Sequence, residues 1–315
     1  MSSNPQLSTG TVHTLDLNFR ARVGAIAVYL IPHSHGAALV ECGPGSTLPV
    51  LQAALQEHGF TPADITDVLV THIHLDHAGA AGWFARQGAR IHVHPVGAPH
   101  LINPEKLLAS AGRIYGDQMD ILWGEFLPVP EERLNILEDN QEIQIGGPQG
   151  LRFRALDTPG HAYHHYAYIL DDLCFTGDIG AVRVQGSYAI SLPMPPPELN
   201  IELWRQSLSR LETEYARGAF QRVAPTHFGI FADPAWHLAE VRRSLDLVEA
   251  WLERVMPADP SADDVSRQFV EWSRRLAATS GADAATLSRI DAANPAWMSG
   301  QGLHRYWHKT RRPTS

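Results

Sequence analysis

The chain is short of several things, and each shortage removes a class of protein. Cysteine appears only as Cys42 and Cys174, with no Cys-x-x-Cys pair. A disulfide scaffold and a thiolate metal finger are therefore excluded, and two buried thiols are expected. Lysine is almost missing, because Lys106 and Lys309 are the only two among 25 basic residues. Against 34 acidic residues the formal net charge is −9, so the overall field repels phosphate backbones and no polybasic run is available for an anionic membrane. Nucleic-acid binding is not expected. No stretch sustains the roughly 18 apolar residues of a membrane span, and the opening MSSNPQLSTG lacks an apolar signal core. The expected location is the cytoplasm.

What the chain does have is 44% hydrophobic and 19% charged residues over 315 positions, the composition of a globular protein able to bury a large core. It also has 17 histidines, a residue used for metals and for proton transfer near neutral pH. Their placement carries the functional reading.

Residues 23–30 and 37–42 are apolar and flank His33-Ser34-His35-Gly36, which predicts a hairpin ending at Gly43-Pro44-Gly45. Helices are predicted over 48–58 and 78–87, each stopped by glycine, with strands at 67–70 and 90–94. The segment 99–130 is mixed and partly helical. Strands recur at 151–156, 166–170 and 173–176, the last two joined by Asp171 and Asp172. The hairpins ending in LVECGPG and LCFTGDIG look like weak internal copies, which fits two similar α/β halves packed sheet to sheet. Four prolines make 186–197 a loop. A helical stripe from Ile201 to Tyr215 follows, and strand 220–224 delivers Pro225-Thr226-His227. Beyond Asp233-Pro234 the pattern is helical only. The expected division is a catalytic domain over 1–232 and a helical extension over 233–315.

The strongest local signal is Thr71-His72-Ile73-His74-Leu75-Asp76-His77, between a predicted strand and a predicted helix. Extended backbone points His72 and His74 to one side, and Asp76 and His77 lie where the chain turns into the helix. His161 follows Thr158-Pro159-Gly160, Asp178 follows Phe175-Thr176-Gly177, and His227 closes the set. All stand at the C-terminal ends of predicted strands, where open α/β sheets place ligand sites. Five imidazoles and two carboxylates suit Zn²⁺, with Fe or Mn as alternatives.

In THIHLDHAG, TPGH, FTGD and PTHFG the sequence resembles the metallo-β-lactamase fold superfamily, in its glyoxalase II-related branch, and TPGHAYHH resembles a group of prokaryotic hydrolases with extra histidines there. The resemblance covers roughly residues 14–230. It implies an αββα sandwich of two mixed β-sheets flanked by helices, with the helical extension added. It further implies that His72, His74 and His161 hold one divalent metal ion, that Asp76, His77 and His227 hold a second, and that Asp178 bridges them. The implied reaction is hydrolysis of a small thioester, ester, lactone or phosphoester by a metal-bridging hydroxide that Asp76 helps to orient. True β-lactamases of this fold usually carry Cys at the position of Asp178, and related lactonases carry Tyr just after it, where this chain has Ile179-Gly180-Ala181.

Other residues are candidates for supporting roles: Glu41, His164 and His165 beside the ligands, and Arg183 and Tyr188 toward substrate. The pairs His33/His35 and His92/His94, without carboxylate partners, read as structural, and His304/His308 reads as a helix face. Rival readings are a mononuclear-iron, persulfide dioxygenase-like oxidoreductase and a non-catalytic metal- or partner-binding protein. A homodimer is compatible with the aromatic C-terminal segment.

Overall fold

The structure, a computed structural model, describes residues 11–311; the polar opening segment, residues 1–10, lies outside the described residues. The chain forms two mixed β-sheets, of six and five strands, flanked by helices. It divides into two compact units: one runs to Asn18 and from Ala27 to Leu156, the other from Phe19 to Ile26 and from Asp157 onward.

In the first unit β1 (His13–Asp16), β2 (Ala27–His33) and β3 (Gly36–Val40) pair antiparallel. Then β4 (Ile65–Leu69), β5 (Arg90–Val93) and β6 (Leu134–Ile136) add in parallel. Every residue of β2 is buried, in keeping with the apolar run from Ala27 to Ile31. β2 starts later than the sequence pattern predicts. Val23 is exposed and Gly24 takes φ 80, so a turn occupies the start of the apolar run. α1 (Leu48–Glu57) lies where expected. The predicted helix 78–87 is instead two short helices, α2 (Leu75–Ala78) and α3 (Ala81–Gln87), because the Ala80 amide donates to Gly43 O at 2.9 Å. The mixed segment holds α4 (Ala98–Ile102), α5 (Glu105–Tyr115) and α6 (Met119–Trp123). β7 (Glu142–Ile145) pairs antiparallel with β8 (Leu151–Asp157).

In the second unit β9 (Tyr166–Leu170) and β10 (Leu173–Phe175) form the predicted hairpin, with Asp171 left-handed in its turn, and β11 (Arg222–Ala224) joins β10 in parallel. α7 (Ile201–Ala216) precedes β11. Four helices follow: α8 (Pro234–Val255), α9 (Ala262–Thr279), α10 (Ala284–Ala293) and α11 (Ala296–Tyr306). Among the described residues no helix is long and apolar enough to cross a membrane.

The glycine of Thr-Pro-Gly-His is required by packing. Gly160 sits at φ 147, and a Cβ there would meet the Trp204 backbone at 2.4 Å. Trp204 is fully buried and donates Nε1–H to Ile179 O at 3.0 Å, two positions from Phe175-Thr176-Gly177. Replacing Trp204 with Ala is expected to cost about 3–5 kcal/mol, with a smaller loss for Trp204→Phe, measured as urea midpoints at constant m-value.

Candidate metal centre

Each unit presents its own set of donors. In the first, the chain leaves β4 and stays extended to His74 (φ −61, ψ 155), where α2 begins. His72 Nε2 and His74 Nδ1 lie 3.0 Å apart. The His72 and His77 rings are 3.9 Å apart between centroids, and His77 Nε2 is 3.5 Å from Asp76 Oδ2.

The lone pairs are set from beneath by Glu41, which is wholly buried and held at φ 67 just past β3. Its Oε1 accepts the Thr71 hydroxyl at 2.5 Å and its Oε2 accepts the Thr71 amide at 3.2 Å. Oε1 also faces His77 Nδ1 at 3.0 Å. A carboxylate only accepts, so His77 donates from Nδ1 and keeps its lone pair on Nε2. The one hydroxyl proton of Thr71 is committed to Glu41. Thr71 Oγ1 therefore accepts from His72 Nδ1 at 3.0 Å, which leaves the His72 lone pair on Nε2. Beside them Cys42 donates Sγ–H to His77 O at 3.3 Å; burial first, and then the Glu41 charge, push its thiol far above the ordinary range. Tyr115, which no sequence motif marks, has its phenol pushed up by burial and by the charge of Asp76.

In the second unit, His161, Asp178 and His227 are all buried. His161 Nδ1 donates to Pro193 O at 2.7 Å and His227 Nδ1 donates to Ala25 O at 2.7 Å. Both lone pairs are thereby placed on Nε2. The His161 Nε2 faces Asp178 Oδ2 at 3.3 Å, and the His227 Nε2 faces Asp178 Oδ1 at 3.4 Å. One carboxylate thus presents a different oxygen to each imidazole. Lone pairs opposed to carboxylate oxygens in a buried setting repel unless a proton or cation lies between them. Two donors bound at about 2.0–2.1 Å to one tetrahedral ion lie roughly 3.3 Å apart, so the spacing fits divalent cations.

The supporting residues sort themselves by their contacts. His165 Nε2 accepts the Asp178 amide at 3.2 Å while its Nδ1 contacts Thr158 Oγ1 at 2.8 Å, so it orients the Asp178 backbone. His164 turns to Glu198, 3.3 Å away. Arg183 is buried, bonded to both oxygens of Asp233 at 2.6 and 2.8 Å, with its guanidinium 4.0 Å from the Phe231 ring and 4.4 Å from the Trp236 ring. Its amide donates to His227 O at 2.5 Å and its carbonyl accepts from Phe228. Arg183 therefore braces the His227 segment. Tyr188 is exposed and packs against Trp236 at 5.3 Å between centroids. His92 does have a carboxylate partner, Asp67 at 2.7 Å, which sequence spacing had hidden; with Asn135 on its other nitrogen at 2.9 Å, it is fully bonded in a sheet network. His33 contacts Thr66 in the same region. The backbone acceptors Pro193 and Ala25 carry no motif, and only the folded chain reveals them.

Histidine and aspartate side chains thus stand after strands of both mixed sheets. The chain belongs to the metallo-beta-lactamase superfamily, whose sequence profile matches residues 21–226. It is 29% identical over 147 residues to a metallo-beta-lactamase fold-containing protein of Sulfurisphaera tokodaii, covering 45% of this chain and 54% of that one. A hydroxyacylglutathione hydrolase of Xylella fastidiosa is 26% identical over 206 residues, 64% of this chain and 62% of that one. One of Rhodopseudomonas palustris is 34% identical over 167 residues, 51% and 52%. The chain thus spans between about half and three fifths of the length of these curated relatives. Among solved structures, a metallo-beta-lactamase family protein from Thermus thermophilus superposes with TM-score 0.65 at 22% identity, over 95% of this chain and 93% of that one.

Two outcomes are expected. Glu41→Gln should weaken metal affinity by about 10- to 100-fold in a chelator competition, with near-wild-type circular dichroism. His237, wholly buried and bonded to Gly180 O at 2.8 Å, is lowered to about 4 by burial, partly offset by that bond. With a folded value below the unfolded 6.5, the unfolded state binds the extra proton. The contribution is complete above pH 6.5 and is lost as pH falls toward about 4, by about 3 kcal/mol. Urea unfolding across this range should show the slope, and His237→Gln should flatten it.

Proposed function

We propose that the protein is a dinuclear metal-dependent hydrolase in which His72, His74 and His161 hold one cation, Asp76, His77 and His227 hold the other, and Asp178 contacts both. The observation that carries the reading is Asp178, whose two oxygens face two different imidazole Nε2 atoms, each with its Nδ1 tied to a backbone carbonyl. Zinc suits the nitrogen and oxygen donors best, with iron or manganese as alternatives. When bound, such a pair lowers the pKa of water and polarises the oxygen of an electrophile.

The chain's own residues supply the rest. Asp76 has a side chain 19% exposed, against 4% for Asp178, so it is the carboxylate that water reaches. It would orient the hydroxide that such a pair supplies. Glu41, Thr71, Pro193 and Ala25 hold four of the five imidazoles in one tautomer, which limits reorganisation during the reaction. The substrate is a small carbonyl or phosphoryl compound, with thioesters favoured by the relatives named hydroxyacylglutathione hydrolase. We place the catalytic domain at residues 1–232, the helical extension at 233–315, and the enzyme in the cytoplasm.

Metal analysis of the purified protein, followed by assays on thioesters, lactones and phosphodiesters with and without oxygen, tests the reading. Asp178→Ala should lower metal content and reduce hydrolysis by more than the roughly 100-fold typical of an outer-sphere change. Full metal content in that variant would overturn the assignment. A single iron with oxygen uptake on glutathione persulfide would replace hydrolysis by oxygenation.

A further inference from the structure

The second unit carries a cleft and a cavity whose linings include none of the proposed metal donors. The cleft, of about 480 Å³, is lined by Arg20 and Arg22 from the loop before β2, by Arg274 of α9, and by Leu287, Ser288 and Asp291 of α10. Arg22 Nε donates to Ser288 Oγ at 3.1 Å and Arg274 donates to Asp291 at 2.9 Å. Three guanidinium groups against one carboxylate leave an excess of positive charge, in a chain whose net charge is −9. A recess concentrates such a field. The loop is also strained: Arg20 and Ala21 hold φ 55 and 54, which side chains other than glycine rarely adopt and which recurs at ligand clamps.

An apolar cavity adjoins this cleft and shares Arg274, Leu287 and Asp291 with it. Val248, Phe269, Trp272, Leu276 and Ile290 line it. Its volume of about 40 Å³ holds roughly three water-sized groups, or three to four methylenes. A cationic rim leading into an apolar pocket is complementary to one kind of ligand.

We infer that the cleft and cavity bind an amphiphilic anion, its carboxylate or phosphate head on the arginines and its short alkyl chain between α8, α9 and α10. Guanidinium forks match either head through paired hydrogen bonds. The assignment of this anion as substrate rests on the hydrolase reading, and binding itself does not. The link is Ala25: the loop that carries Arg20 and Arg22 also supplies the carbonyl bonded to His227 at 2.7 Å.

Calorimetry on the full chain, metal-free and metal-loaded, tests this with hexanoate, hexyl phosphate, 1-hexanol and acetate. Hexanoate or hexyl phosphate should bind at least roughly tenfold more tightly than hexanol and acetate, the better of the two identifying the head. The double variant Arg22→Ala with Arg274→Ala, both exposed positions, should lose roughly tenfold in anion affinity and leave hexanol unchanged, about the effect of one charge-assisted hydrogen bond. Leu276→Trp should fill the cavity and remove the advantage over acetate. Equal affinity for hexanoate and hexanol, or anion binding that survives the arginine changes, would overturn the inference. Anion binding in a protein with no hydrolytic activity would leave it standing and sink the hydrolase reading; hydrolysis with no anion binding would do the reverse.

Discussion

A histidine offers a lone pair at a defined nitrogen only when its other nitrogen is made to donate. Four of the histidines in the candidate centre are fixed in this way: His72 by Thr71, His77 by Glu41, His161 by the Pro193 carbonyl and His227 by the Ala25 carbonyl. The acceptors come from a strand end, a proline-rich loop and the loop before β2. Much of the architecture can be understood as the means of bringing acceptors beneath rings. Glu41 adopts a left-handed backbone, and Gly160 lies against the α7 backbone, in the service of the same alignment.

The second unit shows how far such support extends. Asp178 is fixed through its amide by His165, which is fixed by Thr158. The segment of His227 is clasped by the backbone of Arg183, whose own side chain is locked between Phe231, Trp236 and Asp233 at the start of α8. The helical region therefore contributes to the order of a donor segment without supplying a donor.

Much of this was legible in the sequence, for identifiable reasons. The buried hairpin strands, the α7 stripe and the α8 start announce themselves by apolar period and by Pro or Gly punctuation. The candidate donors could be proposed from sequence because strand-end motifs keep histidine and aspartate within short, patterned stretches. The short strands β1, β6 and β7 were not read, although exposed and buried residues alternate along β7. Neither was the break between α2 and α3, which depends on Gly43 accepting an amide from 37 positions away. Arg183 reads from sequence as a group for substrate, and only packing shows that it faces Asp233. The backbone acceptors cannot be read at all, because any residue has a carbonyl.

Cys42 sits one residue from Glu41 with its sulfur wholly enclosed and its proton given to the His77 carbonyl. A thiol kept neutral by its enclosure is a poor nucleophile and a poor ligand for soft metals. The protein can therefore house sulfur beside an array of imidazoles without offering peroxide, alkylating agents or stray copper an easy point of attack.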